Sequence, residues 1–173
     1  MSATESSSFE KLLIESNDQK RRIDLRGGIV SIDYYEDILS PSITAKVRIM
    51  DTGNTTLDAE GKERQGLVSG LPLRGGERLS MRIIDQGKTG NGQDKVGLDF
   101  DDAKRNLFVS GVTQVLQDTQ RESFLLNLVS REAITNETSR VYKRYKNTIS
   151  DSVKKILTDP LIGLDVDKSK LDD

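Results

Sequence analysis

The chain has 173 residues, 34% hydrophobic and 31% charged, with a net charge of -2 at pH 7. That length suits one compact core, and the near-neutral charge gives no bulk attraction to nucleic acid or to an anionic membrane. The absence of both Cys and His excludes disulfides, thiolate and imidazole catalysis, and Cys/His metal sites, which argues against an enzyme.

The first residues, MSATESSS, lack the basic and apolar regions of a secretory signal, and residues 1 to 8 read as a flexible N-terminus. No apolar run approaches the roughly 20 residues that span a bilayer. Phe9 to Ser16 and Arg22 to Leu25, separated by the turn signal Asn17-Asp18, predict a hairpin. Residues 28 to 51 predict two strands joined at a Ser-Pro corner. Val30, Ile32 and Tyr34 alternate with Ser31, Asp33 and Tyr35; past Ser40-Pro41, Ile43, Ala45, Val47 and Ile49 alternate with Thr44, Lys46 and Arg48. A period of 2 on both arms puts one face on a core and the other in water.

Residues 52 to 76, rich in Gly, read as a long loop, pinned to the body through Leu67 to Leu73. Leu79, Met81 and Ile83 alternate with Ser80 and Arg82, a further strand, and residues 86 to 103 read as an exposed mobile loop. Asn106 to Gln117 and Arg121 to Arg131 form a hairpin across Asp118-Thr119-Gln120, with Val109, Val115, Phe124, Leu126 and Leu128 in the core. A basic extended arm, Ser139 to Lys146, precedes a helix, Asp151 to Leu157, capped by Ser150 and ended by Asp159-Pro160. Residues 9 to 160 thus predict a mainly β domain, an antiparallel barrel or sandwich of six or seven strands with one short helix near the C-terminus. Residues 161 to 173 are a tail or the start of a further domain.

None of the candidate chemical motifs is complete. Gly87-Lys88-Thr89 ends like a phosphate-binding loop, but Arg82 stands where that loop needs its first Gly. Asp94, Asp99, Asp101 and Asp102, and separately Asp165, Asp167 and Asp173, lack the spacing of a calcium loop. Glu122 with Glu132, or Glu36 with Asp37, are carboxylate pairs of the kind a glycan hydrolase uses, though nothing in their spacing selects them. Arg140, Lys143, Arg144 and Lys146, interleaved with Tyr142 and Tyr145, suit phosphates and stacked bases, or acidic groups on a neighbouring subunit.

The segment IDYYEDILSPSITAKVRIMD, ending at Asp51, and the segment Leu71-Pro72-Leu73-Arg74-Gly75-Gly76-Glu77 resemble the N-terminal domain of baseplate hub proteins of contractile-tailed bacteriophages. The order of the later pieces, hairpin, Asn136, basic arm and helix, is similar too. The resemblance covers roughly residues 10 to 160 and implies a tail-tube-like β-barrel flanked by a helix. It implies a structural virion protein of the tail baseplate, assembled in the host cytoplasm, that connects the tail tube to the central spike. The partners implied are copies of itself in a trimer or hexamer ring, tube and spike proteins and other baseplate proteins, with no cofactor and with DNA only passing through a lumen. Hub proteins usually continue into a second tube domain, so this chain departs from the pattern in length. In this reading Thr44, Lys46, Arg48, Arg82, Arg140, Lys143 and Arg144 belong to the ring wall or a subunit interface. The alternatives are a tail-associated cell-wall hydrolase and a nucleic-acid-binding β module built on the basic arm.

Overall fold

The computed structural model describes residues 7–51, 56–57, 64–71, 73–85, 97–102, 105–118, 121–140, 142–146, 148–160 and 171. Strands β1 (Ser7–Glu15), β2 (Arg22–Asp24), β3 (Ile29–Tyr35) and β4 (Thr44–Asp51) come first. A two-residue pair follows, β5 (Thr56–Leu57) with β6 (Arg64–Gln65), then a one-turn helix α1 (Leu67–Gly70). Strands β7 (Arg78–Asp85), β8 (Gly97–Phe100), β9 (Leu107–Gln117) and β10 (Glu122–Val129) complete the sheet. Helices α2 (Arg131–Thr138) and α3 (Ile149–Leu157) close the described chain.

All pairings are antiparallel, in the order β2-β1-β7-β9-β10-β4-β3, with β8 also on β7. The expected antiparallel barrel-like fold is therefore present, as a curled half-barrel. Its curl has a local cause. β9 meets β7 only at Leu107 and Phe108, and β8 takes over β7 from Met81 to Ile84, so β9 leaves the corner and runs on with β10. Bulges at Phe9/Lys11, Ile29/Ser31, Ser123/Leu125 and Asn127/Leu128 add bend and twist. The core fills the concave side. Leu12, Ile14, Val47, Leu79, Leu107 and Leu126 are fully buried there, and Leu67 and Leu71 of the α1 turn join the same cluster.

The alternation expected of β4 is met at every position, with Ala45, Val47 and Ile49 buried and Thr44, Lys46 and Met50 exposed. Elsewhere the structure departs from the sequence reading. The bulge at Ile29/Ser31 turns Val30 outward, and Ile29 packs on the core in its place. Val115 is exposed, because Gln114 takes a positive φ of 52° and the bulge there sets two β9 residues against Phe124. β1 begins at Ser7, inside the stretch expected to be flexible.

Part of the 86 to 103 loop is strand β8. Gly97 makes this possible, since a Cβ there would stand 2.0 Å from the Ile83 carbonyl oxygen. Leu98 and Phe100 then reach the core. Two multi-turn helices replace the single one expected. For α3 the cap is Thr148, whose hydroxyl accepts from the Asp151 amide at 3.3 Å, rather than Ser150. Thr148 also donates its hydroxyl to the Asp151 carboxylate at 2.7 Å, which orients the capping oxygen toward the helix.

Candidate interaction surface

The outward face of β4 carries three of the seven expected wall or interface residues. Thr44 stands opposite Tyr35 and Val129, Lys46 between Asp33 and Asn127, and Arg48 between Ser31 and Leu125. Arg48 donates to Gln114 Oε1 at 2.8 Å, and Asn127 donates to Thr113 Oγ1 at 3.0 Å. The result is a wet wall of hydroxyls, amides and a few charges backed by the core.

Arg82 is elsewhere. On β7, with β9 and β10 between it and β4, it faces Glu10 at 3.3 Å and Asp99 at 4.0 Å. Arg140, Lys143 and Arg144 lie in the arm between α2 and α3. Arg140 donates to the carbonyls of Asn136 at 2.9 Å and Ser139 at 3.4 Å, where a cation is favoured at the end of α2. Lys143 pairs with Asp159 at 3.3 Å, and Tyr142 is 91% exposed. The seven residues thus occupy three places rather than one.

A surface the sequence reading missed stands at the Ser-Pro corner. Asp37 Oδ1 accepts from the Leu39 amide at 2.9 Å, the Ser40 amide bonds the Asp37 carbonyl, and Ser40 Oγ donates to the Ser42 carbonyl. Ser130 ties the corner to the end of β10: its hydroxyl accepts from the Ile43 amide at 3.2 Å and its amide donates to the Ile43 carbonyl at 2.9 Å. A corner held this way carries Ile38 and Leu39 into solvent at 98% and 90% exposure. The available signal was two aliphatic residues set between turn formers, Asp37 before them and Ser40-Pro41 after.

The buried polar groups are architectural. Asp51 and Glu122, opposite each other in the register, accept from the amides of Leu67 at 3.0 Å and Val68 at 3.2 Å and so hold the start of α1. Glu77 accepts from the amides of Arg74 and Gly75 and from Asn17 Nδ2, and Asn106 Nδ2 donates to Ser80 Oγ and the Phe100 carbonyl. Asp101 takes an ion pair from Lys11. Glu122 and Glu132 lie toward opposite ends of β10, a strand about 24 Å long, much more than a glycosidase pair spans. No group of three potential metal ligands occurs among the described residues, and none of their helices is long and apolar enough to cross a membrane. Gly87-Lys88-Thr89, Asp94, Asp165, Asp167 and Asp173 lie outside the described residues.

Tyr34 carries the largest shift. Burial, then its hydrogen bond to Glu36 at 2.7 Å, push its pKa from about 10 up to about 12. Its ring leans on Phe100 with centroids 5.8 Å apart. Between those two values the folded chain still holds a proton that the unfolded chain has lost, so stability is full below pH 10 and falls as pH rises toward 12. Urea titrations across that range are expected to show the fall in the wild type and a shallower one in Tyr34→Phe. Equal slopes would refute it.

No protein-family model matches the sequence, and no curated protein matches it.

Proposed function

We propose that this chain is a structural subunit of a phage tail baseplate, a hub or tail-tube-like ring protein that joins the tail tube to the central spike. The observation that carries this reading is the open sheet. Among the described residues β3 has β4 as its only partner, and β9 beyond Val109 has only β10. A curled sheet with unpaired edges is completed by neighbours, and copies related by rotation complete one another into a ring. The wet face of Thr44, Lys46 and Arg48 then becomes wall or interface, and DNA passes only through the lumen.

The two segments that resemble hub proteins support the same reading, since each has a definite mechanical role. The Ser40-Pro41-Ser42 corner is a self-bonded loop tied to β10, and Gly75-Gly76-Glu77 is a carboxylate held in a backbone turn. In this role the protein requires no catalytic group or cofactor, and it works in the virion baseplate after assembly in the host cytoplasm.

Native mass spectrometry of the purified chain, alone and with tube and spike proteins, tests the proposal. The expected result is a closed assembly of three or six copies that captures at least one of those proteins. A chain that stays monomeric and binds neither overturns it.

A further inference from the structure

Two exposed surfaces of this molecule complement each other, and no ion pair joins them among the described residues. The first is a groove of about 600 Å³ beside the Ser-Pro corner. Its charged lining residues are Glu36, Asp37 and Glu132, with no Lys or Arg among them, and Ile38 stands at its rim beside Leu39. The second is the arm, of which residues 139–140 and 142–146 are described, with Arg140, Lys143, Arg144, Lys146 and Tyr142 exposed to solvent.

The groove reaches Glu132 in the first turn of α2, whereas the arm begins past the last turn of that eight-residue helix, about 12 Å further on. Arg140 is anchored to the end of α2 and Lys143 to Asp159, so the arm is held toward α3. Among the described residues no ion pair links arm and groove. Arg144 and Lys146 are both exposed.

We infer that the corner groove, with Ile38 and Leu39 as its apolar anchors, binds the basic arm of a second copy of this chain. The occupant follows from the chemistry. An acidic slot with two desolvatable aliphatic residues selects a cationic segment that carries an aromatic, and the arm has that composition in extended form. Because groove and arm are different patches, the contact is head-to-tail, the type that yields a ring if the rotation closes and an open filament if it does not. The anchors supply the apolar contact, and the charges set the approach and make it salt-sensitive. The choice of a second copy rests on the ring reading above.

Complementing variants test it. Ile38→Ser with Leu39→Ser damages only the groove, and Arg144→Glu with Lys146→Glu damages only the arm; all four positions are exposed, so the fold is expected to persist, checked by circular dichroism. Mass photometry is expected to show self-association of either variant weakened at least about tenfold, while an equimolar mixture recovers a 1:1 dimer, because each partner brings one intact surface. Wild-type assembly should weaken as salt rises. Variants that assemble as the wild type does, or a mixture that gives no dimer, overturn this interface and leave the ring reading standing. Wild-type chains that grow without closing keep the interface and overturn the ring. A wild type monomeric at every concentration overturns both.

Discussion

Replacing Glu77 by alanine is expected to cost about 3 kcal/mol of folding stability. Glu77 is 1% exposed, so its carboxylate has no water to fall back on. It accepts from the Arg74 amide at 2.8 Å, the Gly75 amide at 2.9 Å and Asn17 Nδ2 at 3.1 Å. Gly75 and Gly76, with φ of 99° and 88°, make the turn that aims those amides inward. Alanine leaves three donors without their acceptor. Glu77→Gln keeps the shape but sets an NH2 against an amide N–H, so it should fall between alanine and the wild type. Urea denaturation with an unchanged m-value measures both. A Glu77→Ala protein within about 0.5 kcal/mol of the wild type, the range of an ordinary surface change, would show that the carboxylate is not what holds this turn.

Phe124→Ala is expected to cost about 3 to 5 kcal/mol, lost transfer energy plus the cavity that remains. The ring is fully buried and sits on β10 opposite Ile49 of β4. The close-packed residues around it relax only in part into such a gap. Leu116→Ala, at a residue 70% exposed on the same hairpin, serves as the contrast and should stay within about 0.5 kcal/mol. Thermal melts of the pair decide it: equal shifts would mean that burial does not set the cost here.

What the sequence made legible was the part governed by period 2. β4 was readable because Ala45, Val47 and Ile49 alternate without interruption against polar neighbours, and the β9–β10 hairpin because two apolar runs flank a three-residue gap. Bulges defeat that logic, since one extra residue reverses every later side chain; Val30 and Val115 were misplaced for this reason. β8 was hidden because its strand character depends on a partner distant in sequence and on a Gly that admits close backbone approach. The α3 cap turned on two hydroxyls two residues apart, Thr148 and Ser150, and only Thr148 stands just before the helix, Ser150 being already inside it. Helix α2 follows Ser130, whose hydroxyl serves the Ser-Pro corner instead of capping the helix, so the local signal was spent on a long-range contact. The candidate surface was half legible. The basic arm shows in the letters, whereas the exposure of Ile38 and Leu39 follows from how the corner folds.

The route of β9 has a consequence for how the molecule opens. Its first residues are flanked by β7 and β10, but beyond Val109 the strand has a single described neighbour. Amide exchange should therefore be graded along β9: slowest near Leu107, where opening requires most of the core to come apart, and faster toward Gln117, where β10 is the one described neighbour; Glu122, paired with both β9 and β4, should stay slow. The far end of β9 is a unit of low local stability attached to a rigid base. It can adjust its twist to whatever it meets while the packing around Leu107 and Leu79 stays as it is.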